Sequence, residues 1–148
     1  MKQHTISPVL YKKIIAVMPI PCVDVIVVQG KKFLLGKRVN KPAQGLWWFV
    51  GGRVIKGETI ERAAIRKVKE ETGLRVRLQK ILGVDDTMFT DSAFGSPTHT
   101  VNTVFCAVAP AGHTIHHDSQ NVALQWFSKI NPHWPAYVKA FLHKAGFK

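Results

Sequence analysis

An α/β fold, an α/β/α sandwich on a mixed β-sheet, is what this sequence predicts. Three observations carry the expectation. One clear helical segment lies near the middle of the chain, strand-like apolar runs lie on both sides of it, and a second helical segment lies at the end. With 148 residues the chain has room for one domain with a real core, so residues 1–148 are expected to form a single domain.

Pro8 to Val17 reads as a short helix, with Ser7 as N-cap and Pro8 at its first position. Cys22 to Gln29 (CVDVIVVQ) is β-rich and mostly apolar, as in a buried central strand. Gly30-Lys31 makes a turn, and Lys32 to Val39 reads as the partner strand of a hairpin. Asn40 to Gly45 is a loop, and Leu46 to Val50 (LWWFV) a short buried strand. After the central helix, Val76 to Phe89 reads as a long, bent strand. Thr90 to Pro97 is a loop, Thr98 to Ala109 a strand, and Ala111 to Ser119 a His-rich loop. Val122 to Phe127 is the last strand and Trp134 to Lys144 the last helix.

The central stretch, Gly52 to Leu74, reads GRVIKGETIERAAIRKVKEETGL. Gly51-Gly52 permits a backbone turn that side chains would block. Thr59 through Lys69 lacks Gly and Pro and carries Ile60, Ala63, Ala64, Ile65 and Val68 at close to helical spacing. Gly73 suits a left-handed cap. Glu70 and Glu71 place paired carboxylates at the outer end of that helix. Hard oxygen ligands beside a bare backbone loop suit Mg²⁺, and Mg²⁺ suits a phosphorylated substrate.

Hydrophobic residues make up 46% of the chain, which fits a globular protein, and no apolar run is long enough to span a bilayer. Ile14 to Val23 is apolar behind Lys12-Lys13, but Pro19, Pro21 and Asp24 argue against a signal peptide. Cys22 and Cys106 lack metal spacing and read as buried reduced thiols, so a cytoplasmic location is expected. The net charge is +12, from 21 Lys and Arg against 9 Asp and Glu. From Ile81 to Ser128 there is no Lys or Arg, so the positive charge belongs to the N-terminal half and the C-terminal tail. A basic half suits an anionic partner such as a nucleotide, a nucleotide sugar or RNA; the plain alternative is a solvated basic surface. No aromatic-rich basic RNA motif is visible, which argues against nucleic acid as a partner.

The central stretch resembles the Nudix box, G-x5-E-x7-R-E-U-x-E-E-x-G-U, where U is a bulky aliphatic. Gly52, Glu58, Arg66, Val68, Glu70, Glu71, Gly73 and Leu74 match it; Lys67 stands where the pattern has Glu. The resemblance implies the Nudix α/β/α fold. The segment FLLGKRVNKPAQGLWWFVGGRVIKGET is also similar to GDP-mannose mannosyl hydrolase, a subfamily usually reading close to FLLGKR-NxPAQGxWF-PGGRV-K-ET, with a match from about Pro21 to Gly73. That resemblance implies a Mg²⁺-dependent hydrolase, with Mn²⁺ able to substitute. Water would attack the sugar C1 of GDP-mannose or GDP-glucose and release GDP. It also implies a homodimer. The alternatives are a pyrophosphohydrolase cutting P–O–P in a nucleoside triphosphate or dinucleotide, and a catalytically weak domain that binds a nucleotide or RNA.

Carried over residue by residue, the resemblance makes Asp24 the acidic residue near the sugar, or else a satisfied buried Asp. Arg38 and Arg53 match arginines that neutralise phosphates, as planar guanidinium groups can, or else are surface charge. Arg66 matches the box Arg that orients Glu58 or the leaving group, though Arg66–Glu70 could equally be a plain i,i+4 pair. Glu71, the backbone carbonyl of Gly51 and the side chain of Gln120 match metal ligands. Glu70 adds a carboxylate, or is a solvated helix-end charge, and Lys67 puts a cation beside the site. One tightly held Mg²⁺ is expected rather than two or three. The subfamily has His directly after the ligand Gln, where this chain has Asn121, which cannot take a proton. His116, His117 and Asp118 are the nearby candidates for the base; His116-His117 could equally be an exposed pair. His99 resembles a residue of the sugar-side strand, or is structural. Trp47 and Trp48 would face opposite ways on a strand, one in the core and the other free to stack on a base.

Overall fold

β1 (Ile20–Gln29) changes partner along its length, and that change lays out the sheet. The computed structural model describes residues 5–92, 94–116 and 122–148. In chain order its elements are α1 (Pro8–Val17), β1, β2 (Lys32–Arg38), β3 (Trp47–Trp48), β4 (Val50–Arg53), α2 (Ile60–Thr72), β5 (Arg77–Phe89), β6 (Thr98–Val108), β7 (Val122–Phe127) and α3 (Ala136–Lys144). The strands run β3-β2-β1-β6-β5, with β4 added on β1 and β7 on β2. β1 and β6 are parallel from Ile20↔Thr100 to Val28↔Val108, while the other pairings are antiparallel. The sheet is therefore mixed, as expected. β1 meets β2 at Val28 and Gln29 but β4 from Cys22 to Val25.

Side chains alternate across the strands and divide the core in two. Val23, Val25, Val27, Leu34 and Phe105 pack with Ala63, Ala64 and Val68 of α2 on one face. Ile26, Phe33, Leu35 and Val104 pack with Val138, Phe141 and Leu142 of α3 on the other. The mixed sheet flanked by helices is the predicted α/β/α sandwich. Asp24 shares its phase with Ile26 and so faces the α3 side.

In the central helix the Gly73 cap holds, while Thr59, read as the first helical residue, is the N-cap, and the helix runs on to Thr72 rather than ending at Lys69. Thr59 Oγ1 accepts from the Arg62 N–H at 3.2 Å, and Gly73 (φ 73°) caps the other end while its N–H bonds the Lys69 carbonyl. At α1 the Ser7 hydroxyl accepts from the Leu10 N–H. The predicted bend in β5 is present as two irregularities, between Leu78 and Lys80 and between Ile81 and Gly83. β1 begins at Ile20 rather than Cys22, and α3 at Ala136 rather than Trp134 because Pro135 takes the N-cap position.

Two expectations are corrected. Leu46 to Val50 is not one strand: β3 pairs with β2 and β4 with β1, and Phe49 lies at the break. Gly51-Gly52 is not a turn but part of β4, in register with Asp24 and Val23. Glycine is required there by proximity. A Cβ on Gly51 would overlap the Val23 carbonyl oxygen and lie 2.5 Å from Asp24 Oδ1. Among the described residues, no helix is long and apolar enough to cross a membrane.

Candidate active site

A cavity of about 540 Å³ opens beside the N-terminal half of β1, at Cys22 and Asp24. Arg38 of β2, Arg53 of β4 and Lys67 of α2 line it with positive charge, and Trp48, Phe89 and Phe94 with aromatic surface. Asp24, Thr100 and Asn102 supply buried polar groups. The alternation of β6 explains the last two: Thr98, Thr100 and Asn102 share a phase and all line the cavity. They are held in place, with Thr87 and Thr100 hydroxyls 2.6 Å apart and Asn102 Nδ2 donating to the Asp85 carbonyl.

Asp24 is 6% exposed and takes a hydrogen bond from the Tyr137 hydroxyl, 2.7 Å from Oδ2. Burial pushes its carboxyl up to about 7, against the opposing hydrogen bond of Tyr137, the charge of Arg38 and a hydrogen bond from Trp48. A carboxyl that titrates near neutrality can hold or release a proton under physiological conditions. Cys22 lies beside it in the cavity. Burial first, and Asp24 second, raise its thiol to about 12, so it is protonated at neutral pH.

The charged face of α2 forms a connected set. Arg66 grips Glu58 through Nη2–Oε1 at 2.6 Å and Nε–Oε2 at 3.0 Å. It reaches Glu70 through Nη1 and donates to the Arg53 carbonyl through Nη2 at 3.0 Å. The Arg66 hydrogen bonds hold the Glu58 carboxyl below its ordinary range. Glu58 also accepts from the Ile55 N–H, so the pair ties the loop after β4 to the helix. Glu71 turns toward the cavity, where burial raises its carboxyl while the Lys67 ammonium and the Gly51 N–H oppose that shift. Gly51 thus sits between Asp24 and Glu71.

Glu71, Glu70 and the Gly51 carbonyl are the described groups that would hold a divalent cation. Lys67 Nζ lies 3.0 Å from Glu71 Oε1 and 3.4 Å from Glu70 Oε2. Glu58 and Glu70 are engaged by Arg66. This donor set has room for one hard cation at most, at Glu71 and the Gly51 carbonyl, and there it would share the Glu71 carboxylate with Lys67. Among the described residues no group of three or more His, Cys, Asp and Glu side chains gathers.

Arg38 and Arg53 are anchored differently. Arg38 Nε donates to the Pro42 carbonyl at 2.6 Å, which fixes the guanidinium against the loop after β2. Arg53 is exposed and stacks over the Tyr11 ring at 4.4 Å, with Phe94 edge-on to the same ring.

The structure thus brings together Asp24, Arg38, Gly51, Arg53, Lys67 and Glu71. Arg66 and Glu70 stand just outside the cavity lining. His99 is on the opposite phase of β6 from Thr98 and Thr100, and its ring meets Asp86 Oδ2 at 2.9 Å. His116 lies past the far end of α2: its N–H bonds the Thr72 carbonyl and its ring packs over Gly73. Its ring is not part of the cavity lining. His117, Asp118, Gln120 and Asn121 lie outside the described residues. Trp48 is buried and stacks on Tyr137, with centroids 5.2 Å apart, while Trp47 packs edge-on to Phe127. Tyr137, Tyr11 and Asn102 were not expected from sequence.

The NUDIX domain profile matches residues 18–138. This chain belongs to the NUDIX domain family. α1 lies before the matched segment, although Pro8 and Tyr11 line the cavity. An ADP-ribose pyrophosphatase of Methanocaldococcus jannaschii is 46% identical over 66 residues, 45% of this chain and 39% of that protein. The low-salt glycan biosynthesis protein Agl8 of Haloferax volcanii is 35% identical over 82 residues, 55% of this chain and 53% of that protein. The matches to these relatives therefore span about half of their length or less. Among solved structures, the MutT NUDIX hydrolase from Burkholderia pseudomallei superposes with a TM-score of 0.70 at 26% identity, over 86% of this chain and 98% of that one.

Proposed function

We propose that this NUDIX family member is a Mg²⁺-dependent hydrolase of a nucleoside diphosphate sugar, GDP-mannose or GDP-glucose, cutting between the sugar C1 and the β-phosphate oxygen. The observation that carries the reading is that one cavity is lined by two kinds of polar group. Arg38, Arg53 and Lys67 suit a diphosphate, while Asp24, Thr100 and Asn102 suit a hydroxyl-rich group. Water adds at C1, the C1–O bond breaks, and its electron pair leaves with GDP. Arg38 and Arg53 offset the charge that develops on the leaving diphosphate. Asp24, with a carboxyl near neutrality, holds a sugar hydroxyl or accepts the proton that the attacking water gives up; its buried position in the cavity and raised carboxyl support that role. Mg²⁺, when bound at Glu71 and the Gly51 carbonyl, supplies further charge neutralisation to the diphosphate. A relative named for glycan biosynthesis is in keeping with a sugar nucleotide.

A second reading is cleavage of the P–O–P bridge, favoured by the relative named ADP-ribose pyrophosphatase. Incubation with GDP-mannose and Mg²⁺ separates the two. GDP plus mannose is expected; GMP plus mannose-1-phosphate supports the second reading. Absence of turnover across a panel of nucleotide sugars would overturn the substrate class. Homodimer formation and a cytoplasmic location belong to this proposal as well.

A further inference from the structure

Glu70 and Glu71 stand side by side near the end of α2, and one side chain answers both. Lys67, three and four residues earlier, is at the two helical spacings that bring side chains together. Its Nζ is 3.4 Å from Glu70 Oε2 and 3.0 Å from Glu71 Oε1. The stem of Lys67 packs over Gly52, where an added Cβ would come within 2.7 Å of Cε. Gly52 therefore leaves the space through which this side chain reaches the cavity, and Lys67 lines it with Arg38 and Arg53.

We propose that the Lys67 ammonium is a resident cation of this cavity, which takes the place of one divalent ion between Glu70 and Glu71 and presents its charge to the diphosphate. The Lys67 and Glu71 side chains are only 20% and 18% exposed, so solvent screens their attraction weakly. A divalent ion approaching the same two carboxylates meets the repulsion of a positive charge tethered a few ångströms away. The free protein then binds such an ion poorly, and tight binding requires the added negative charge of a diphosphate. The proposal rests on the cavity being the diphosphate site and is independent of which sugar is cleaved.

Mn²⁺ titration of the full chain without nucleotide, followed by electron paramagnetic resonance and calorimetry, tests it. Lys67→Gln removes the charge at similar length, and Lys67→Glu replaces it with a third carboxylate. Both variants are expected to bind Mn²⁺ about tenfold or more tightly than the unaltered chain, because ligand charge sets affinity for hard cations. Mn²⁺ is also expected to raise their melting temperatures further than that of the unaltered chain. Equal Mn²⁺ affinity in all three proteins would overturn the proposal. Circular dichroism verifies folding, and Lys67→Gln alone decides if Lys67→Glu does not fold. No nucleotide sugar is present, so this result stands apart from the product analysis.

Discussion

The Tyr137 hydroxyl reaches from α3 to Asp24 on β1 and donates to its Oδ2 at 2.7 Å, across 113 residues of sequence. The contact joins the closing helix to the floor of the cavity and gives a buried carboxyl a fixed partner. Tyr137→Phe leaves that oxygen short of a donor, at a cost of about 1–3 kcal/mol. Urea unfolding at pH 8 measures the loss.

Asp24 makes stability depend on pH. Its carboxyl sits at about 7 in the folded chain against an ordinary 3.8, so between those values the folded state holds the extra proton. The stabilisation from that proton is complete below the ordinary value and is lost as pH rises through about 7. Asp24→Asn removes the titration. Between pH 5 and pH 8 the unaltered chain is expected to lose roughly 2–3 kcal/mol relative to Asp24→Asn, at 1.36 kcal/mol per pKa unit. Parallel stability curves across that range would contradict the placement of Asp24.

Glu58 has the opposite sign. Arg66 holds its carboxyl low, so the pair contributes stability above the ordinary value of 4.5 and loses it as pH falls below. Glu58→Gln and Arg66→Ala should each destabilise by about 1–3 kcal/mol at pH 7, the range for a hydrogen-bonded, partly buried pair. For Glu58→Gln the difference should shrink in acid. Chemical denaturation at pH 7 and pH 3.5 checks both the size and the direction.

Gly51→Ala tests the close approach of β4 to β1. The added methyl would meet the Val23 carbonyl, which is backbone and cannot swing aside. A loss of about 3 kcal/mol or failure to fold is expected, at or beyond the upper end of the 1–3 kcal/mol usual for overpacking. Thermal melting distinguishes this from the near-neutral result that an open, unobstructed position would give.

Arg38→Lys keeps the charge but loses the planar fork and the Nε bond to Pro42. A fall of about 10–100-fold in kcat/KM for the nucleotide sugar is expected, on the scale of a lost charge-assisted contact at a developing anion. Tyr11→Leu, which removes the ring under Arg53, should lower it by a smaller factor with folding intact.

How far the sequence reached depended on the range of the interaction. Gly73 acts within one turn of its own helix, so the C-terminal end of α2 was readable, as was the Ser7 cap of α1; Thr59 caps α2 in the same local way but stood in the sequence only as the start of a helical run. The run CVDVIVV announced a buried strand, but not which phase faced α2. That phase decides that Asp24 meets Tyr137. It also places Thr100 in the cavity and His99 against Asp86. Gly51-Gly52 looked like a turn because a glycine pair reports only missing side chains. For Gly51 the reason is the neighbouring strand β1, far away in sequence, and for Gly52 it is the Lys67 stem packed over it. Tyr137 and Tyr11 lie outside the box, on helices whose docking only the folded chain reveals.

The bond that breaks separates the proposed reaction from cleavage of the P–O–P bridge. Hydrolysis of GDP-mannose in ¹⁸O-water with Mg²⁺, read by mass spectrometry, tests it directly. Attack at the sugar C1 puts the label in mannose and leaves GDP unlabelled. Label in GMP or in mannose-1-phosphate, with no free mannose, would contradict the account.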